Sequence, residues 1–171
     1  MGITMQRIHH VGVIVTDIER SMKFYNTLLG KEPDIRTDVA NSAGLSRQFG
    51  VGEEAGDAKV KIAFYHIDNT SFEIIEVEQP NTMLDQPEVF HAGAKHVCFQ
   101  VEDCDATYEK MKAEGYEFVS EPCHFDEGQP KLEGVKWAYF RDPDGNFLEI
   151  MEDPGKEGYV GREPAAGLEP G

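Results

Sequence analysis

Two histidines and two glutamates are the residues of this chain best placed to do chemistry. His10 opens the run His10-Val11-Gly12-Val13-Ile14-Val15, and His96 opens His96-Val97-Cys98-Phe99-Gln100-Val101. Downstream of each lies a second matched phrase. Val-Lys-Ile-Ala-Phe-Tyr at 60–65 leads to Glu73-Ile74-Ile75-Glu76, and Val-Lys-Trp-Ala-Tyr-Phe at 135–140 leads to Glu149-Ile150-Met151-Glu152. A unit that supplies one imidazole and one carboxylate, written twice, can build a four-ligand metal site from two halves. Two nitrogen and two oxygen donors suit Zn, Ni, Co, Mn or Fe(II), and the residues do not choose among them.

The elements that must position these residues also repeat. In the first half a strand over 8–15 precedes Asp17, a helix N-cap by type. Ile18, Met22, Tyr25 and Leu29 then recur at helical spacing, and Gly30 ends the helix. A strand near 33–38 follows, then a loop over 39–58, long enough to be functional or disordered. Strands at about 59–67 and 71–77 close the half as a hairpin around Asp68-Asn69-Thr70. After a proline-bearing connection from Gln79 to Gly93, the order recurs. It gives a strand at 96–101, an Asp103-capped helix at about 105–114 stopped by Gly115, and a strand at about 116–120. A loop at 121–133 and strands at 134–141 and 146–152 complete it, the last two joined by Asp142-Pro143-Asp144-Gly145. Each half therefore reads β-α-β-β-β, an α+β fold. The expected organisation is one domain over 1–152, with modules at 6–78 and 94–152. A Gly-, Pro- and Glu-rich tail over 153–171 has the composition of a mobile segment.

Strand alternation assigns faces. Val11, Val13, Val15 and Val97, Phe99, Val101 should pack against the helices, with Phe72, Ile74, Leu148 and Ile150. His10, Glu73, His96 and Glu149 all fall on the opposite side. Parity also places Glu76 on the helix side, which favours Glu73 over it as a ligand. A lone histidine at a strand start is ordinarily a hydrogen-bonded structural residue, but matched positions in two copies favour ligands. His9 points opposite to His10 and reads as structural or surface. His66, His91 and His124 have no counterpart in the other copy, although His124 lies in a loop that could rim a cleft.

Bulk properties narrow the function classes. The 171 residues carry a formal charge of −16, which disfavours nucleic acid and anionic membrane surfaces. No apolar run approaches the roughly 20 residues of a membrane span, and residues 1–7 lack the apolar stretch of a signal peptide. The cytoplasm is the default expectation. Three cysteines, Cys98, Cys104 and Cys123, form no C-x-x-C pair and read as free thiols.

Residues 6–152 resemble the vicinal oxygen chelate superfamily, which includes glyoxalase I, methylmalonyl-CoA epimerase, extradiol dioxygenases and the bleomycin- and fosfomycin-resistance proteins. The resemblance is carried by His9-His10-Val11-Gly12-Val13, Lys95-His96-Val97 and Asp142-Pro143-Asp144-Gly145-Asn146-Phe147-Leu148-Glu149. It implies paired βαβββ modules in a cup-shaped mixed sheet with helices outside. It also implies one divalent metal on His10, Glu73, His96 and Glu149. A fourth ligand, the carboxylate of Glu73, fits the lyase and isomerase branch, in which proton transfer occurs beside the carbonyl of a small carbonyl compound or thioester. Glu73 and Glu149 are then the catalytic base candidates. An Fe(II) extradiol dioxygenase and a non-catalytic small-molecule binding protein are the alternatives. A homodimer is implied too, and the site could lie within one chain or across that interface. Lys131 and Lys136 are too few to announce glutathione or CoA, so the substrate stays open.

Overall fold

A computed structural model describes residues 8–40, 47–50, 59–68, 70–79, 85, 87–124, 132 and 134–153. The chain divides into two compact units, Met1–Asp85 and Gln86–Gly171. Most of the loops at 39–58 and 121–133, part of the 79–93 connection and the tail beyond Asp153 lie outside the described residues.

The first unit runs β1 (His10–Val15), α1 (Ile18–Leu29), β2 (Ile35–Ala40), β3 (Lys59–Ile67) and β4 (Thr70–Gln79). Its strands form a mixed sheet in the order β1-β4-β3-β2, with β1 parallel to β4 and the other pairs antiparallel. The second unit runs β5 (His96–Gln100), α2 (Cys104–Ala113), β6 (Cys123–His124), β7 (Lys136–Arg141) and β8 (Phe147–Glu152). Its sheet repeats that topology as β5-β8-β7-β6, with β5 parallel to β8. The fold is thus α+β, two βαβββ units each built on a four-stranded mixed sheet.

Both helices start and stop as their residue types dictate. Asp17 and Asp103 are extended N-caps whose carboxylates accept from the backbone N–H of Arg20 at 3.0 Å and Ala106 at 2.9 Å. Gly30 closes α1 in the left-handed region at φ 67°. The inward face of α1 buries Ile18, Met22 and Tyr25 against Phe72 and Ile74 of β4, the Tyr25 and Phe72 ring centroids lying 4.8 Å apart. In the second unit Tyr108 and Met111 of α2 share a core with Phe140, Leu148 and Ile150. Face alternation is as the sequence predicts. Val13 and Val15 are buried, while His10, Gly12 and Ile14 are open.

One strand differs. The backbone of the segment at 116–120 meets β7 through the bridge Phe118–Phe140 and the bond from Val119 N–H to the Tyr139 carbonyl, and the short strand that joins β7 is Cys123–His124. Pro122 lies between the two contacts and has no N–H to give to a ladder. Phe118 instead spends its ring on packing, 4.8 Å from Tyr108 and 5.2 Å from Phe140.

Candidate metal centre

Strand register brings one histidine and one glutamate together in each unit. In the first, the parallel pairing of β1 with β4 sets Gly12 opposite Glu73, and two residues earlier His10 opposite Ser71, all on the face away from α1. His10 Nε2 then lies 3.4 Å from Glu73 Oε2. In the second, β5 on β8 sets Cys98 opposite Glu149, and His96 Nε2 lies 3.1 Å from Glu149 Oε2. On the other flank of each glutamate stands an aromatic, Phe64 or Tyr139. Each meets the neighbouring imidazole edge-on, with centroids 5.8 Å apart for Phe64 and His10 and 5.3 Å for Tyr139 and His96.

Both carboxylates are buried, Glu73 at 8% and Glu149 at 3% exposure, while their histidines stay accessible. Burial raises the Glu73 pKa, partly offset by His10 and then by His9. Burial likewise raises Glu149, offset by His96 and by a hydrogen bond with the Cys98 thiol. A carboxylate removed from water with only an imidazole beside it is short of positive charge, and a divalent cation would supply it. The donor set of borderline nitrogen and hard oxygen fits such an ion. Among the described residues no group of three or more His, Cys, Asp or Glu side chains is placed to hold a metal.

The two pairs are not identical. Glycine 12 leaves the Glu73 carboxylate open ground, since a Cβ there would lie 3.1 Å from Oε2. At the matching position Cys98 is registered opposite Glu149, and burial together with that carboxylate pushes its thiol up to about 12.

Other expected residues fall as follows. His9 is exposed and its Nδ1 lies 2.9 Å from His10 Nδ1, a contact that face parity alone did not suggest. His66 bonds Ser71 Oγ at 3.0 Å, and His91 accepts from Glu88 N–H at 3.1 Å. His124 is exposed in β6. Glu76 and Glu152 have a function the sequence reading missed. Glu76 Oε2 accepts from Ile18 N–H at 2.7 Å and Glu152 Oε2 from Cys104 N–H at 2.9 Å, each at the start of its unit's helix. Their identical offset from Glu73 and Glu149 was the available signal.

Comparison with known proteins bears on this geometry. Residues 7–150 match the family model described as Glyoxalase/Bleomycin resistance protein/Dioxygenase superfamily. The chain is 28% identical over 151 residues to a 2-epi-5-epi-valiolone epimerase of an Actinomyces species, covering 86% of this chain and 79% of that one. A probable lactoylglutathione lyase of Vibrio parahaemolyticus is 24% identical over 164 residues, 95% of this chain and 96% of the relative. A glyoxalase family protein of Bacillus cereus has the same fold, with a TM-score of 0.70 at 22% identity over 87% of this chain and 95% of that one.

Proposed function

The chain belongs to the glyoxalase/bleomycin resistance protein/dioxygenase superfamily, and from that premise we propose that it is a metal-dependent lyase or isomerase. Its reaction is proton transfer at the carbon beside the carbonyl of a small carbonyl compound or thioester. The supporting observation is the repeated pair, a buried glutamate beside an accessible histidine on the same sheet face in both units. Relatives named as an epimerase and a lyase favour this branch over the others.

In this reading His10, Glu73, His96 and Glu149 hold one divalent ion. Such an ion supplies Lewis acidity toward a carbonyl oxygen. The protein's own groups do the rest. Glu73 and Glu149 are the base candidates, each a buried carboxylate beside an imidazole, and in the metal-free protein burial raises the pKa of both. Phe64 and Tyr139 flank the two carboxylates and limit the water that reaches them. A homodimer in the cytoplasm completes the proposal, and analytical ultracentrifugation checks its stoichiometry.

Elemental analysis of purified protein is the first test. Zn, Ni, Co or Mn supports the reading, iron with catechol-dependent oxygen uptake supports a dioxygenase, and no bound metal supports a non-catalytic binding protein. The second test is substitution. Glu73→Gln and Glu149→Gln should each lower turnover by about 10²-fold or more while the protein stays folded. Near-normal turnover in both would sink the assignment.

A further inference from the structure

Glu76 and Glu152 take no part in the histidine–glutamate pairs, yet both recur three residues after a paired glutamate and both reach a helix N-terminus. The strands carrying the histidines explain why that matters. β1 and β5 are short and lie at the edge of their sheets, each bonded to a single neighbour. Their pairing to β4 and β8 is parallel, so no tight hairpin sets the register. A slip of one residue would turn each histidine to the helix side and part it from its glutamate.

The second glutamate closes that crossover. β1 ends at Val15, which is registered opposite Glu76. The chain turns through Asp17 into α1, and the first helical N–H, that of Ile18, returns to Glu76 Oε2. Lys61 Nζ, on the far side, holds Glu76 Oε1 at 3.0 Å. In the second unit Cys104 N–H returns to Glu152 in the same way. Each carboxylate is therefore tied at once to the strand bearing the paired glutamate and to the helix that follows the histidine strand. We infer that Glu76 and Glu152 are positioning residues that lock the register of β1 on β4 and of β5 on β8, and so keep each histidine beside its glutamate. The consequence for metal affinity rests on the ligand reading proposed above; the register lock itself does not.

The test uses the full chain with Zn²⁺ alone as the probe. Glu76→Ala removes the acceptor, and Glu76→Gln keeps an oxygen in place. Asp17→Ala removes the other side-chain acceptor at the same helix start without touching β4. In protein shown to be folded by circular dichroism, Glu76→Ala should weaken Zn²⁺ binding by about tenfold or more. Glu76→Gln and Asp17→Ala should each stay within about threefold of the parent. Exchange of the β1 amides should quicken by about tenfold in Glu76→Ala relative to Asp17→Ala. Equal effects of Glu76→Ala and Asp17→Ala on both readouts would overturn the lock and leave Glu76 a plain helix cap. A parent chain that binds no Zn²⁺ overturns the ligand reading instead, and amide exchange then decides the lock. If Glu76→Ala does not fold, Glu152→Ala, Glu152→Gln and Asp103→Ala make the same comparison in the second unit, where Glu152 is less buried.

Discussion

Gly12 matters to the candidate site because of the side chain it lacks. Its position opposite Glu73 leaves room that a methyl group would take, 3.1 Å from a carboxylate oxygen. Gly12→Ala should therefore displace the Glu73 carboxylate and weaken metal binding by about tenfold, with little change in melting temperature. Gly30 makes the opposite case. It has open space around it but sits at φ +67°, so Gly30→Ala should cost about 1 kcal/mol in a denaturant melt and leave metal affinity unchanged.

The buried glutamates also give a signed pH dependence. Burial raises the Glu149 pKa, so the metal-free folded state holds a proton that the unfolded chain, titrating near the usual value, has already released. Stability from this group is thus full below about pH 4 and is lost as pH rises through the folded pKa. Glu149→Gln removes the titration. Under chelator at pH 8 the variant should be more stable than the parent, with the gap closing as pH falls toward 4. Chemical denaturation at the two pH values measures it.

Elements were legible in the sequence wherever a local period ruled. The alternation of Val11, Val13 and Val15 placed His10 on the correct face, and the Asp17-to-Gly30 frame gave α1 its ends. What was not legible depended on the chain returning to itself. Nothing local to Glu152 says that its carboxylate meets the N–H of Cys104, and nothing local to Phe118 says that its ring is taken by Tyr108 and Phe140. Pro122 separates the bridge at Phe118 from the short strand Cys123–His124, where pairing with β7 resumes. The side-chain caps are simpler. Asp103→Ala should cost about 1 kcal/mol, read from a thermal melt, because Ala106 N–H loses its acceptor while the Cys104 N–H keeps Glu152.

At the scale of the whole molecule, a −16 chain that buries Glu73 and Glu149 beside histidines alone has a direct reason to gain stability from a cation. Zn²⁺ at a hundred times its dissociation constant should raise the unfolding free energy by about 2.7 kcal/mol, and the gain should vanish when Glu73 and Glu149 are both replaced by Gln. Differential scanning calorimetry with and without chelator reads this. Among the described residues no helix is long and apolar enough to cross a membrane. Family membership sets the fold; the chemistry proposed and its substrate depend on side chains around the pairs, which differ between the copies.

That difference, an open glycine at 12 and a thiol at 98, gives the two carboxylates unlike surroundings. In the proposed reaction the duplication would supply the donors, and its imperfection would divide the labour between Glu73 and Glu149.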